Sequence, residues 1–301
     1  MKILVAYRGI PQSPEWATGD LVVKAFRNLG HDVTPYGTYY QTDVWMEEVD
    51  PVASIREAEY DLALYMECND ADPAYGGFKL VKARKTACWL FDTSYYADNL
   101  VGFNQFFNFE HQFIANPRDL NKFPNSSYLP YAVDSDLHGR EITFKKEYDF
   151  ALPGTVRQDR VSLSQSLSKK GIRLELISGL FREEYIDALA KARVVINQNP
   201  DQGRGLLNMR YWEAMAAGAL ILTEHSDFND NAREMEWNGM GSLSGLFYDG
   251  VDNLVSICER LSEDRNELEK ERSGGQLNVL RHHTYKQRCK RILQLLFPHE
   301  A

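Results

Sequence analysis

Short apolar runs of strand length alternate with longer helical ones along this chain, and that alternation limits the fold more than any other feature. In the first half KILVAY, DLALYM, TACWLFD and QFIAN are each bounded by polar or turn residues, the pattern of strands buried on both faces. Between the first two, GDLVVKAFRNLGHDV repeats Leu21, Val22, Ala25, Phe26 and Leu29 at helical spacing, with Gly30 as its stop. Strand, helix and strand in that order predict a parallel sheet with helices on both faces.

The same grammar restarts after SSYLPYAVDSDLHGREITFKKEYDF. DFALPG, RLELISG, RVVINQN, ALILTE and a shorter LFYDG read as strands, with VSLSQSLSKKG, EEYIDALAKA and NMRYWEAMAAG as helices between them. Beyond Asp252 the chain turns to amphipathic helix, and YKQRCKRILQLLF keeps an apolar stripe that needs a partner surface. The expected architecture is α/β, two doubly wound Rossmann-like domains facing a cleft at the carboxyl ends of their strands. The expected division is 1–134 for the first domain, 135–147 for a polar linker, 148–284 for the second domain, and 285–301 for a helix packing back across the domains.

At 301 residues and 44% hydrophobic the chain can bury cores of this size, and no run approaches the roughly 20 apolar residues that span a bilayer. The start lacks the apolar region of a signal peptide, so a cytoplasmic location is expected. Cys68, Cys88, Cys258 and Cys289 stand outside metal-binding or disulfide spacings. A net charge of −9 argues against a protein whose main task is to coat nucleic acid. The local basic stretches FKLVKARK and RHHTYKQRCKR both read as solvated helix faces.

One carboxylate stands out. In NMRYWEAMAAGALILTE, Glu213 lies mid-helix among small apolar residues, so a place facing the sheet would demand a partner. Arg210, one turn earlier, could pair with it. The run from Asn208 to Thr223 resembles the donor domain of GT-B glycosyltransferases, and more closely the group that includes spore-maturation CgeB-type proteins. The upstream FREEYIDALAKARVVINQNP and the downstream LFYDG to HTYKQR segments fit the same group. The resemblance covers roughly the second half; the first half is similar to acceptor domains only in pattern.

The resemblance implies that Glu213 accepts hydrogen bonds from the ribose hydroxyls of a donor nucleotide, a role suited to two acceptor oxygens facing a vicinal diol. It also implies Arg210 beside the donor. Gly154 and Thr155 would form a turn at the diphosphate, and Arg160 or Arg157 would stabilise the leaving group. Many retaining members carry a second glutamate eight positions upstream, where this chain has Gly205. Asn208 is placed to cap the helix, and the glycine-rich DQGRGLLN before it suits phosphate. Glu224 ends the next strand, at the expected cleft. Gly19, at the entrance of the first long helix, would approach the transferred sugar and diphosphate.

Asp92, ending the TACWLFD strand, and His111, among Phe107, Phe109 and Phe113, are the candidate general bases. Asp70-Ala71-Asp72 could hold a metal in another glycosyltransferase fold, but here it stands apart from the nucleotide signature and reads as a solvated loop. The expected activity is metal-independent transfer, with retention, from a nucleotide-diphosphate sugar, by default a UDP-sugar. The chain would use no further cofactor. The acceptor is open: a glycan, a small molecule, a protein or a modified DNA base. The rival readings are a non-catalytic nucleotide-sugar binder, suggested by Gly205, and a DNA-base glycosyltransferase with a basic groove at Lys79, Lys82 and Lys85.

Overall fold

The computed structural model describes residues 1–9, 17–39, 57–66, 81–91, 93, 108–143, 145–198, 207–225, 228–237 and 239–300. The chain forms two compact units, one of Met1–Pro130 with Tyr285–Ala301 and one of Tyr131–Thr284. Residues 135–147, expected as a linker, lie inside the second unit, and the tail from Tyr285 belongs to the first.

The first unit holds a parallel sheet of β1 (Lys2–Gly9), β2 (Asp32–Tyr39), β3 (Glu59–Met66), β4 (Lys82–Leu90), β5 (His111–Ile114) and β6 (Ser126–Tyr128), ordered β2-β1-β3-β4-β5-β6. Leu4, Ala6, Ala63, Tyr65, Cys88 and Leu90 build part of its core. Helix α1 (Thr18–Arg27) follows β1. The two edge strands were not anticipated. β2 carries Pro35, which only an edge tolerates, and β6 is a three-residue SSY with no apolar period. FKLVKARK is also corrected: from Lys82 onward it is strand β4, with Lys85 paired to Glu110 at 2.7 Å and Arg84 to Asp61 at 3.0 Å.

The second unit opens with a short helix, α2 (Ser135–His138), capped by the Asp134 carboxylate. Its sheet contains β7 (Tyr148–Pro153), β8 (Leu174–Ile177), β9 (Ala192–Asn197), β10 (Leu220–Glu224) and β11 (Leu246–Tyr248). All pairings are parallel, in the order β11-β10-β9-β7-β8. The strand order reverses between β7 and β9, so the crevice for a ligand opens beyond their carboxyl ends.

Helices α3 (Gln158–Ser168), α4 (Arg182–Ala190) and α5 (Met209–Ala216) connect these strands. They are followed by α6 (Phe228–Trp237), α7 (Gly250–Glu263) and α8 (Arg265–His282). Leu152, Val194, Ile196 and Leu222 pack with Leu163, Leu167, Leu254 and Cys258 into one apolar cluster. In the first unit α9 (Tyr285–Leu296) packs on α1, and its buried Arg288 donates to the Pro130 carbonyl at 3.0 Å. Among the described residues no helix is long and apolar enough to cross a membrane.

The exit of α5 is built to be rigid. Gly218, at φ +78°, ends the helix in the left-handed region. Its carbonyl accepts from Arg272 Nε and Nη2 at 3.0 and 2.9 Å. Arg272 is fully buried and also bonds Glu269 through Nη1. Gln276 Nε2 donates to Ala216 O at 2.8 Å. Replacing Arg272 by Met strands the Gly218 carbonyl and leaves Glu269 with only Arg193, 3.4 Å away. That should lower stability by about 3 kcal/mol in urea unfolding, and a loss under about 1 kcal/mol would contradict the bonding described.

Candidate functional site

β7 runs straight into a turn that only glycine can make. Gly154 sits at φ +118°, and a Cβ there would lie 2.3 Å from Arg160 Nη1. That nitrogen donates to the Pro153 and Thr155 carbonyls, 3.0 Å each, while the Gly154 N–H donates to Ile177 O at 2.8 Å. Arg160, 3% exposed, is therefore the floor of the turn. Thr155 is exposed above it. Arg157 is half-exposed and grips Asp159 through Nε and Nη2 at 3.1 and 2.6 Å. The two arginines, interchangeable from sequence, thus have different surroundings.

Glu213 lies on α5 with its side chain 13% exposed. Two other helices reach it. The Tyr185 hydroxyl, from α4, donates a hydrogen bond to its carboxylate, and His138 Nε2, from α2, stands 3.9 Å from Oε1. His138 is 2% exposed, its Nδ1 3.0 Å from the Asp134 backbone nitrogen. Burial raises the Glu213 carboxyl from an ordinary 4.5 to about 7, opposed by the charge of Arg210 and the bond from Tyr185. Burial and the facing Glu213 push the Tyr185 hydroxyl well up, so it stays protonated and donates. Arg160 is shifted down by burial, then by the nearby charges of Arg210 and Arg157. The site thus gathers positive charge around one buried carboxylate.

Asn208 occupies the cap position of α5 but does not cap it. Its Nδ2 instead donates to Asn197 Oδ1, at the end of β9, at 3.2 Å. Neighbouring buried polar atoms have no hydrogen-bond partner among the described residues: Arg160 Nε, Gln198 Oε1, Asn208 Oδ1, Arg210 Nη1 and Thr223 Oγ1. All belong to the segments around the carboxyl ends of β7, β9 and β10. Each such atom costs about 1–3 kcal/mol, and their concentration at this edge marks a place completed by a polar ligand. The arginines offer donors there; Glu213, Gln198 and Asn208 offer acceptors.

The first-unit candidates are placed differently. Gly19 is buried, and a Cβ on it would lie 2.0 Å from the Tyr7 ring, so its small size serves the packing of α1 on β1. His111 begins β5 with its ring centroid 4.7 Å from that of Phe113 and Nε2 3.0 Å from Ser127 Oγ; burial shifts it down. Trp89, Phe109 and Phe113 are core. Asp92, Asp70, Asp72, Gly205 and Lys79 lie outside the described residues. No group of three His, Cys, Asp or Glu gathers as a metal site among the described residues.

Sequence reasoning passed over Tyr185 and His138. Tyr185 stood inside a quoted motif without a role. His138 lay in the stretch taken for a linker, where only the D-S-D-L-H cap pattern could have signalled a helix.

The family model described as glycosyl transferase-like matches residues 140–294, just over half of the chain, and takes in Gly154, Arg160, Tyr185, Arg210 and Glu213. The chain belongs to that family. No curated protein sequence matches it. Among solved structures, this glycosyl transferase-like chain is similar to Anabaena HepE in complex with UDP and glucose (12% identity, TM-score 0.62, covering 98% of this chain and 99% of that one). Sucrose-phosphate synthase from Thermosynechococcus elongatus follows at 11% identity and TM-score 0.61, with 98% of each chain covered. The DNA-modifying enzyme β-glucosyltransferase matches at 12% and 0.58, over 98% of this chain and 99% of that one. These likenesses establish the GT-B fold, two Rossmann-like halves.

The raised Glu213 carboxyl makes stability depend on pH. Between about 4.5 and 7 the folded glycosyl transferase-like unit holds a proton that the unfolded chain releases. The stabilisation is therefore complete below about 4.5, falls as pH rises to about 7, and is absent above. Glu213→Gln removes this slope. Relative to wild type it should gain on the order of 2–3 kcal/mol between pH 5 and pH 8 in urea unfolding; parallel curves would refute the assignment.

Proposed function

We propose that the protein transfers a sugar from a nucleotide-diphosphate sugar to an acceptor hydroxyl. The observation that carries this reading is the buried Glu213 carboxylate beside Arg210, with Arg160 near Arg210 in turn, both arginines keeping an N–H without a partner among the described residues, at the carboxyl edge of the second sheet. Glu213 accepts hydrogen bonds from the two ribose hydroxyls. Arg210, Arg160 and the Gly154–Thr155 turn hold the diphosphate, with Arg157 at the rim.

As the bond between the sugar C1 and the diphosphate oxygen breaks, negative charge grows on the leaving group, where the guanidinium groups already stand. The acceptor oxygen forms the new bond to C1 and its proton departs to a base. Asp92 is the base we favour, because His111 is packed against Phe113 and bound to Ser127. Charge neutralisation by arginine lets the reaction proceed without metal, and the retention we favour requires the acceptor to attack C1 from the face the diphosphate leaves, although Gly205 stands where many retaining members carry a second glutamate. The HepE complexes with UDP and with UDP-glucose support a UDP-sugar as donor. The segments around Glu213 support membership in the CgeB-type group.

The test is calorimetric titration of UDP, GDP, ADP, CDP and dTDP without added metal. One of them, UDP first, should bind wild type. Glu213→Ala should weaken it at least about tenfold, as expected for hydrogen bonds to a charged acceptor. Equal affinity in the two proteins would remove Glu213 from the site. Anomeric configuration of the product, read by NMR, decides retention.

A further inference from the structure

The turn between β8 and α4 breaks local rules for no gain in stability. Phe181 occupies the cap position of α4, where a Ser, Thr, Asp or Asn would bind a free N–H, and it makes no capping bond. Its ring is 73% exposed; among the described residues no large apolar side chain is more exposed. The backbone that presents it is strained: Gly179 and Arg182, on either side, have φ of +72° and +56°, and for arginine that region is unfavourable. Val156, 51% exposed, follows the neighbouring strand β7. Leu180 is less exposed and stands where a hydrophobic staple to α4 would begin, so it has a structural reason that Phe181 lacks.

Phe181 and Tyr185 are linked by the first turn of α4, the Tyr185 N–H facing the Phe181 carbonyl at 3.4 Å. Tyr185 holds Glu213. One turn of helix, about 5 Å, is the step from a ribose diol to its base. Glu183 and Glu184 make the first turn of α4 acidic, which repels phosphate and suits a neutral heterocycle.

We propose that Phe181 is the platform on which the donor's nucleobase stacks. The inference rests on the reading of Glu213 as the ribose grip. A ring face recognises any base by its π surface, so Phe181 supplies affinity, while discrimination between bases falls to polar groups.

Titration of UDP and of inorganic pyrophosphate into wild type, Phe181→Ala and Phe181→Trp tests this. UDP should bind Phe181→Ala about tenfold more weakly, the scale of one lost aromatic–base stack. Phe181→Trp should restore the affinity, and pyrophosphate should bind all three alike. The melting temperature of Phe181→Ala should not fall, since the ring has little to pack on. UDP binding unchanged in Phe181→Ala, or a loss shared equally by pyrophosphate, overturns the stacking role alone. Absence of nucleotide binding to wild type overturns the Glu213 reading and this one with it.

Discussion

The buried guanidinium of Arg272 fixes the helix on which the site depends. A helix leaves its last carbonyls without partners, and here α8 supplies them: Arg272 takes the Gly218 oxygen and Gln276 the Ala216 oxygen. Gln276 also donates to Arg140 O at 2.6 Å, and Arg272 reaches Thr143 O. The segment expected to be a free linker is thereby tied to the end of α5. Gly218 must stay small as well, for a Cβ there would stand 3.0 Å from Ile142. With its exit held in this way, α5 presents Glu213 and Arg210 in one orientation, and the opposite end of the helix is left open toward the crevice.

That open end gathers five of the buried polar atoms of the second unit that have no partner among the described residues. A fold optimised only for stability would pair Asn208 with its own helix and give Thr223 an acceptor. Here Asn208 turns to Asn197 instead, and Thr223 Oγ1 is buried without a partner. The arrangement sorts by chemistry. The positively charged donors Arg160 and Arg210 come from α3 and the start of α5, and the neutral acceptors Gln198 and Asn208 from the end of β9 and the cap of α5. A ligand with an anionic middle and hydroxyl-bearing ends satisfies both.

The regular part of this design was legible in the sequence. Strands buried on both faces read as continuous apolar runs, so β1, β3, β4 and all five strands of the second sheet could be seen from residue pattern alone. What escaped was set by position. β2 and β6 are edges, where Pro35 or a polar SSY is allowed because one side has no ladder to satisfy. α2 is four residues long and shows no periodicity; only its Asp134 cap betrays it. In the site, Glu213 drew notice because a carboxylate among small apolar residues breaks the pattern, but its role was read from the resemblance to GT-B donor domains. Its partners were not readable, because Tyr185 and His138 come from other helices, and tertiary contact leaves no mark in local spacing. The choice between Arg157 and Arg160 was likewise a matter of three-dimensional depth, three residues apart in sequence and opposite in exposure.

The depth of Glu213 carries a tension that explains its surroundings. A carboxylate kept in water would grip hydroxyls weakly, because water competes for its oxygens. Buried, it binds them strongly in the low local dielectric, but burial pushes its proton affinity toward neutrality. Arg210 and Tyr185 pull the other way, and both act on the ionised form. Their combined effect holds the carboxyl at about 7 against the upward push of burial; on the reading proposed above, hydroxyl donors favour its ionised form. Deeper burial without those partners would give a neutral acid that donates one proton and accepts poorly. Tyr185 from α4 and Arg210 from α5 are thus the condition under which a buried carboxylate can still act as an acceptor.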